Sequence, residues 1–166
     1  MKLIMFKQFI VIFLLSSVVF GYAQPSIPMV LSAQGRHNTF VGLLKASGYW
    51  DTFETKREYT ILAPNDDEFL KLPPGFIASL YKPANKQKLY NLVKAHIIPE
   101  IHDINNLRTV SEIKTISDYS LKVEHQGRDM YVNGKHITHG DIRARNGIIH
   151  SIGGIILINV DTTATK

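Results

Sequence analysis

Two nearly continuous apolar runs near the C-terminus constrain the fold of this chain more than any other feature. Residues 148–152 are IIHSI and residues 155–158 are IILI, and only two glycines separate them. Short apolar runs bounded by turn residues are typical of strands covered on both faces. The sequence therefore predicts two central strands here, in one core with the helix that follows Asn65.

Turn residues between shorter alternating segments predict a β-meander upstream of these runs. A two-residue turn at residues 126–127 (Gln-Gly) places Val123 opposite Met130. The stronger hairpin signal at residues 133–134 (Asn-Gly) places Met130 opposite Ile137. Side chains alternate along a strand, so both turns put the apolar side chains on the same face.

A third candidate turn, Asn146-Gly147, does not fit a plain hairpin. The same register would place Arg143 beside His150 and Arg145 beside Ile148. We therefore predict a bend or bulge at Gly147, with a positive φ angle.

Helical spacing of apolar residues dominates the first half of the chain. We predict Asn65 as a helix N-cap and Glu68 as its capping-box partner. Two prolines at positions 25 and 28 predict an extended segment over residues 24–28. The other predicted elements are helices over residues 37–47, 76–81 and 85–95 and strands over residues 58–63, 96–99 and around 113–116.

The N-terminus has the pattern of a secretory signal peptide. Lys2 and Lys7 precede an apolar stretch over residues 9–20, and Gly21-Tyr22-Ala23 supplies small residues for cleavage after Ala23. We therefore predict a signal peptide over residues 1–23 and one domain over residues 24–166. This domain is expected to be secreted, periplasmic or on the cell surface. An uncleaved N-terminal anchor is the alternative.

The composition excludes several classes of site. The chain has no cysteine, which rules out disulfides, thiolate metal sites, thiol nucleophiles and an acylated N-terminal cysteine. Beyond the leader, no stretch is long and apolar enough to cross a membrane. An exported chain is also not expected to meet nucleic acid.

The chain has a formal net charge of +5. Four of its lysines, Lys82, Lys86, Lys88 and Lys94, fall in one helical stretch. This charge predicts mild attraction to acidic polymers, or simply a solvated basic face.

Three segments in order resemble the fasciclin domain. The family pattern has a strand with Ala-Pro and an Asn- or Thr-led helix, then Tyr-His followed by a proline, and then Asp-Ile, Asn-Gly and Ile-His. The matching segments here are residues 59–69 (YTILAPNDDEF), 92–99 (LVKAHIIP) and 132–152, which contains Asp141-Ile142. The similarity covers about residues 28 to 160.

The resemblance implies an α+β fold, a wedge-shaped β-sandwich of about seven strands with several helices packed on one side. It also implies a non-catalytic adhesion module whose partner is a protein or an envelope or matrix glycan, with no cofactor. Asp141 and Ile142 match a pair tied to partner binding in animal members. His96 matches the adhesion-linked Tyr-His motif, although Ala95 replaces the tyrosine. The structural alternative is a turn cap at Asp141 and core positions for Ile142 and His96.

The seven histidines suggest an alternative, an envelope protein that binds a metal or a small molecule. His136 and His139 have the tightest spacing, but in a regular strand they would point to opposite faces. We therefore predict no metal site. The chain lacks the serine-elbow, metalloprotease, phosphate-loop and dinucleotide motifs, and we predict that it is not an enzyme.

Overall fold

The computed structural model describes residues 24–53, 55 and 57–158. The predicted signal peptide and the last residues of the chain lie outside the described residues. The described helices are α1 Ile27–Gln34, α2 Asn38–Ala46, α3 Tyr49–Thr52, α4 Asp66–Leu70, α5 Phe76–Leu80, α6 Lys86–Lys94 and α7 Ile104–Leu107, with a short 3-10 helix at Pro83–Asn85. The described strands are β1 Tyr59–Pro64, β2 Ile97–Pro99, β3 Glu112–Lys114, β4 Ser120–Gln126, β5 Asp129–Val132, β6 Lys135–Ala144 and β7 Gly147–Ile152.

The strands form one seven-stranded mixed sheet in the order β2-β1-β7-β6-β5-β4-β3. Neighbouring strands are antiparallel except for β1 and β7, which run parallel from Tyr59 opposite Gly147 to Pro64 opposite Ile152. Every residue of β1 and of β7 is buried. This central pair therefore has a core on both faces, as the apolar run at residues 148–152 predicted.

The sheet curls until its two edges meet. The Ile116 N–H, just after β3, donates to the Ile97 carbonyl of β2 at 2.9 Å. One apolar cluster lies between the sheet and the helices and includes Ile149, Phe40 and Phe69. A second cluster contains Ile152 and Val132. The predicted α+β architecture of about seven strands with packed helices is confirmed.

The predicted extended segment at the start of the domain is wrong, because residues 27–34 form helix α1. Pro28 occupies its first turn, where backbone N–H groups have no partner within the helix, so proline removes no hydrogen bond. The Ile27 N–H instead donates to the Asn146 side chain at 2.9 Å.

Asn65 occupies the N-cap of α4, but the predicted capping box does not form. The Asn65 side chain makes no capping hydrogen bond, and Glu68 pairs with Lys71 at 2.7 Å. The Asp66 carboxylate caps a different helix, because it accepts the N–H groups of Asn38 and Thr39 at the start of α2.

The β4–β5 hairpin keeps the predicted face but shifts the predicted register by two residues. Val123 lies opposite Val132, and Gln126 lies opposite Asp129, so residues 127–128 form the turn. A shift of two leaves every side chain on its face. Leu121, Val123, Met130 and Val132 are all buried as predicted. The β5–β6 pairing, with Val132 opposite Lys135, has the predicted register.

The register rejected for residues 146–147 does not occur, but a hairpin still forms, contrary to the prediction, because its turn lies one position earlier. Ala144 lies opposite Gly147 and Arg143 opposite Ile148, so residues 145–146 make a two-residue turn. Gly147 has the predicted positive φ of 156°. The irregularities lie upstream in β6, where the register shifts between Ile137 and Ile142. Arg145 therefore lies in the turn and not opposite Ile148, and the bulges occur in β6 rather than at Gly147, where one was predicted.

The last apolar run, residues 155–158, is buried except for Leu157 and does not form a strand. Ile155, Ile156 and Ile158 are buried, but no sheet pairing includes them. The Ile156 N–H donates to the His96 ring at 3.0 Å instead of to a neighbouring strand. The core position of this segment was predicted, whereas its predicted strand conformation is wrong.

The described residues contain no helix with the length and apolar character that a membrane crossing requires.

Gly147 is expected to be among the glycines least tolerant of substitution. A Cβ there would overlap the Tyr59 carbonyl oxygen and lie 2.8 Å from Ile27 Cδ1. Because the obstacle is backbone in the central pair, Gly147→Ala should lower the free energy of unfolding by at least about 2 kcal/mol. Urea denaturation measures the change.

Gly127→Ala is the matched control. Gly127 has φ 61°, but a Cβ there would meet no atom within 4 Å. Gly127→Ala should therefore lower the free energy of unfolding by only about 1 kcal/mol, because alanine is disfavoured in a left-handed backbone conformation. Equal losses in the two variants would contradict the close packing at Gly147.

Candidate functional site

Asp141 lies on the irregular part of β6, between the pairs His139–Ser151 and Ile142–Ile149. Its backbone is left-handed, with φ 58°, and its side chain is exposed. A non-glycine residue in this conformation is uncommon, although aspartate tolerates it better than most. The bulge therefore turns a carboxylate outward from an otherwise regular hairpin.

Two long-range hydrogen bonds hold Asp141 in this position. Its Oδ1 accepts the N–H of Ile104 at 2.9 Å, at the start of α7. Its own N–H donates to His150 Nδ1 at 3.2 Å. Among the described residues, no donor reaches Oδ2, so one carboxylate oxygen is left for solvent or a partner.

His150 supports this turn from inside the sheet. It is fully buried in β7, and its Nε2–H donates to the His102 carbonyl at 2.7 Å. Only a neutral imidazole can donate at one ring nitrogen and accept at the other. Burial lowers the pKa of His150, which favours this neutral form.

Gly140 lets the turn pack closely against α7. A Cβ at Gly140 would lie 2.8 Å from Ile104 Cδ1 and 3.3 Å from His150 Nδ1. The same two residues hold Asp141, so the turn and its supports form one compact unit.

Ile142 points largely inward. It is half-buried and packs against the apolar cluster on the helix side of the sheet, opposite Ile149. The two residues of the predicted pair therefore differ in role: the Asp141 carboxylate is exposed, whereas the Ile142 side chain helps to anchor it in the core.

His96 is a core residue. It is 0% exposed, its Nδ1–H donates to the Leu92 carbonyl at 2.7 Å, and its Nε2 accepts the Ile156 N–H at 3.0 Å. A side chain this enclosed does not reach a partner, so the prediction of His96 as a contact residue does not fit its position. The alternative role, a hydrogen-bonded core histidine, does fit.

His37 is a third buried histidine with partners at both ring nitrogens. Its Nδ1 lies 2.8 Å from the Pro64 carbonyl, and its Nε2 lies 3.1 Å from Ser151 Oγ. Burial lowers its pKa. It therefore joins the start of α2 to the ends of β1 and β7.

The structure gives little support to metal binding at His136 and His139. His136 lies 3.5 Å from Asp129, whereas His139 lies 3.4 Å from Thr138 Oγ1. In the part of the chain that the structure describes, no three His, Asp or Glu side chains are grouped closely enough to hold a metal ion.

A cleft of roughly 480 Å³ opens where the sheet edges meet. Tyr49, Tyr59, Ile97 and Ile116 supply its apolar surface, and Arg57, Glu58 and Glu100 supply charge. Its described lining contains no histidine, so it does not match the predicted histidine-based small-molecule site.

The model of the fasciclin domain family matches residues 35–158. The chain belongs to this family. Protein sll1483 of Synechocystis sp. is 29% identical to it over 146 residues, which cover 86% of this chain and 80% of that protein. The uncharacterized protein sll1735 of the same organism is 27% identical over 134 residues, covering 81% of this chain and 98% of the relative.

Two larger proteins match over one portion of their length. The transforming growth factor-beta-induced protein ig-h3 of Sus scrofa is 27% identical over 127 residues, which cover 76% of this chain but only 18% of the pig protein. A solved FAS1 domain pair from the insect cell adhesion molecule Fasciclin I has the same fold, with a TM-score of 0.71 and 18% identity. That match covers 81% of this chain and 51% of the insect chain, about half of the pair.

The sequence pointed to Asp141 but not to the residues that hold it. His150 was recognised only as a core histidine, and Ile104 carried no signal, because its contribution is a backbone N–H. Asp103 gives the one local hint, since its side chain caps α7 by accepting the Asn106 N–H at 2.8 Å.

The buried histidines predict that this fasciclin domain loses stability in mild acid. Burial lowers the pKa of His96 to about 4, whereas an unfolded histidine titrates near 6.5. As the pH falls below 6.5, the unfolded state takes up protons that the folded state does not. The free energy of unfolding therefore falls by about 2 kcal/mol between pH 7.5 and pH 5 because of His96 alone. His37 and His150 shift in the same direction and add to the loss.

Urea denaturation from pH 7.5 to pH 5 measures this loss. His96→Gln should be less stable at pH 7.5 but should show a shallower pH dependence than the parent. His125→Gln, at an exposed position on β4, is the control and should keep the parent slope. A parent domain whose stability does not change over this range would contradict the neutral, buried histidines.

Proposed function

We propose that this protein is an exported, non-catalytic adhesion or binding module that contacts a protein or a glycan at the cell surface or envelope. Fasciclin domains are generally adhesion or binding modules and occur in extracellular or secreted proteins. The signal-peptide pattern over residues 1–23 supports the exported location.

The observation that carries the proposal is the presentation of Asp141. Its carboxylate is exposed on a left-handed turn, while buried His150 and the backbone of α7 hold the turn from beneath. A group fixed before binding loses little conformational freedom when a partner arrives. In this proposal Asp141 makes the contact, and Ile142 anchors the turn by packing into the core.

The partner group for Asp141 is a hydrogen-bond donor or a cation. Charge-assisted hydrogen bonds to a carboxylate are stronger than neutral ones, which suits a single exposed contact point. Basic side chains of a protein and hydroxyl groups of a glycan both meet this requirement, and binding experiments can separate the two classes.

Asp141→Asn tests the proposed contact. Asparagine also tolerates the left-handed region and can still accept the Ile104 N–H, so the turn should keep its shape while its charge is lost. Retention of the purified protein on cells or extracted envelope material should fall by about tenfold, equivalent to about 1.4 kcal/mol. A pull-down with a titrated protein concentration measures the retention.

Asp118→Asn is the matched control, because Asp118 is also exposed and also has φ 58°, in the turn between β3 and β4. It should bind as well as the parent. Thermal melts should show all three proteins equally folded. If Asp141→Asn retains parent binding, the assignment of Asp141 is wrong. If the parent itself is not retained above a denatured sample, the adhesion function is wrong.

A further inference from the structure

The helical side of the molecule is basic over two long stretches of sequence. Residues 24–50 contain Arg36 and Lys45 but no aspartate or glutamate. Residues 71–99 also contain no acid and carry five lysines: Lys71, Lys82, Lys86, Lys88 and Lys94. Helices α1, α2, α5 and α6 all come from these stretches. The acids of the helical layer lie on α3 and α4, which also pack against α2. The positive charge is therefore concentrated on α6, on the segment between α5 and α6, and at Lys45 near the end of α2.

A groove of roughly 280 Å³ runs between α2, α5 and α6 within this layer. Buried Leu80 and Leu89 line its inner side, and exposed Lys82 and Lys86 line its rim. Tyr81 follows α5 and is 51% exposed. Its side chain reaches α2, where the Tyr81 hydroxyl oxygen would lie 2.9 Å from a Cβ added at Gly42. The tyrosine ring therefore forms one wall of a basic groove.

Lysines and aromatic rings continue from this groove along the surface. Lys86 Nζ lies 5.5 Å from the centre of the Tyr90 ring, and Tyr90 packs edge-on against Tyr49 at 6.5 Å. Beyond Tyr49, Lys45 Nζ lies 4.6 Å from the Trp50 ring. We call this set the lysine–aromatic surface: Lys45, Tyr49, Trp50, Tyr81, Lys82, Lys86 and Tyr90.

None of its three lysines forms a salt bridge with an acid in the part of the chain that the structure describes. Lys45 and Lys86 instead rest near aromatic faces, where cation–π attraction holds an ammonium group without neutralising it. Their positive charge is therefore available to an anionic partner.

We propose that the lysine–aromatic surface binds an acidic polysaccharide, a polymer of uronic acid units. The lysine ammonium groups pair with the sugar carboxylates, and the apolar face of a sugar ring packs on the exposed ring of Tyr81. The concave shape and the charge complementarity favour this occupant. A lipid bilayer would require several apolar side chains that project from the basic face, whereas among the aromatic side chains of this surface only Tyr81 is exposed and the rings of Tyr49, Trp50 and Tyr90 are half-buried.

This inference goes beyond the proposed contact at Asp141. The lysine–aromatic surface lies on α2, α3, α6 and the segment that follows α5, whereas Asp141 lies on β6 and is held by β7 and α7. Either surface can be correct without the other.

Calorimetric titration of the purified protein with polygalacturonate in about 50 mM salt tests the proposal, with dextran as the neutral polymer. The parent should bind polygalacturonate and not dextran. Because salt screens exposed charges, this binding should weaken several-fold at about 300 mM salt. The triple variant Lys45→Gln, Lys82→Gln, Lys86→Gln should weaken binding at least tenfold.

The control variant Lys114→Gln, Lys122→Gln, Arg128→Gln removes the same charge from exposed positions on β3, β4 and the β4–β5 turn. Its affinity should stay within twofold of the parent. Tyr81→Ala leaves the charge unchanged and should weaken binding about fivefold by removing the groove wall. Thermal melts identify any variant that fails to fold.

Several outcomes would overturn the proposal. They are absence of polygalacturonate binding by the parent, equal losses in the two triple variants, or unchanged binding by a folded Tyr81→Ala. Binding to vesicles of anionic phospholipid without binding to polygalacturonate would assign the surface to a membrane instead. Asp141→Asn should keep full polygalacturonate binding, so a failure at Asp141 and a failure of this surface are distinguishable.

Discussion

The parallel pairing of β1 with β7 is the constraint on which the rest of this fold depends. Both strands are buried along their whole length, so each face of the pair must be covered by other parts of the chain. Ile149 points to the helix-side cluster, whereas Ile152 belongs to the other cluster. Parallel neighbours also cannot be joined by a tight turn, and the chain between them supplies most of the remaining elements.

Three buried histidines connect this central pair to its surroundings. A neutral imidazole offers one donor and one acceptor, so it can join a carbonyl to an N–H where no strand pairing is present. His96 does this between α6 and the final apolar segment, and His150 does it between the 102 carbonyl and the Asp141 turn. His150 lies on the buried strand β7, so the position of the exposed Asp141 carboxylate depends on a hydrogen bond to a core residue.

The sequence predicted which side chains are buried better than it predicted how strands pair. Alternation and turn residues identify a face, but a register shift of two preserves that face, so the Val123 pairing was missed. The bulges around Asp141 have no local signal, since they depend on contacts with Ile104, 37 residues away. The apolar character of residues 155–158 predicts their burial but not whether they form a strand. A proline at position 28 is compatible with either a helix start or an extended chain.

The two proposed surfaces would bind in different ways because they are built from different parts of the chain. Backbone geometry fixes the Asp141 carboxylate, so that contact is small but already ordered. The lysines of the lysine–aromatic surface carry flexible side chains that lose rotamer freedom when they pair with an anion. Exposed ion pairs contribute little individually. A single domain of this kind is therefore expected to bind weakly at either surface, and strong adhesion would come from many domains that engage one polymer or one cell surface together.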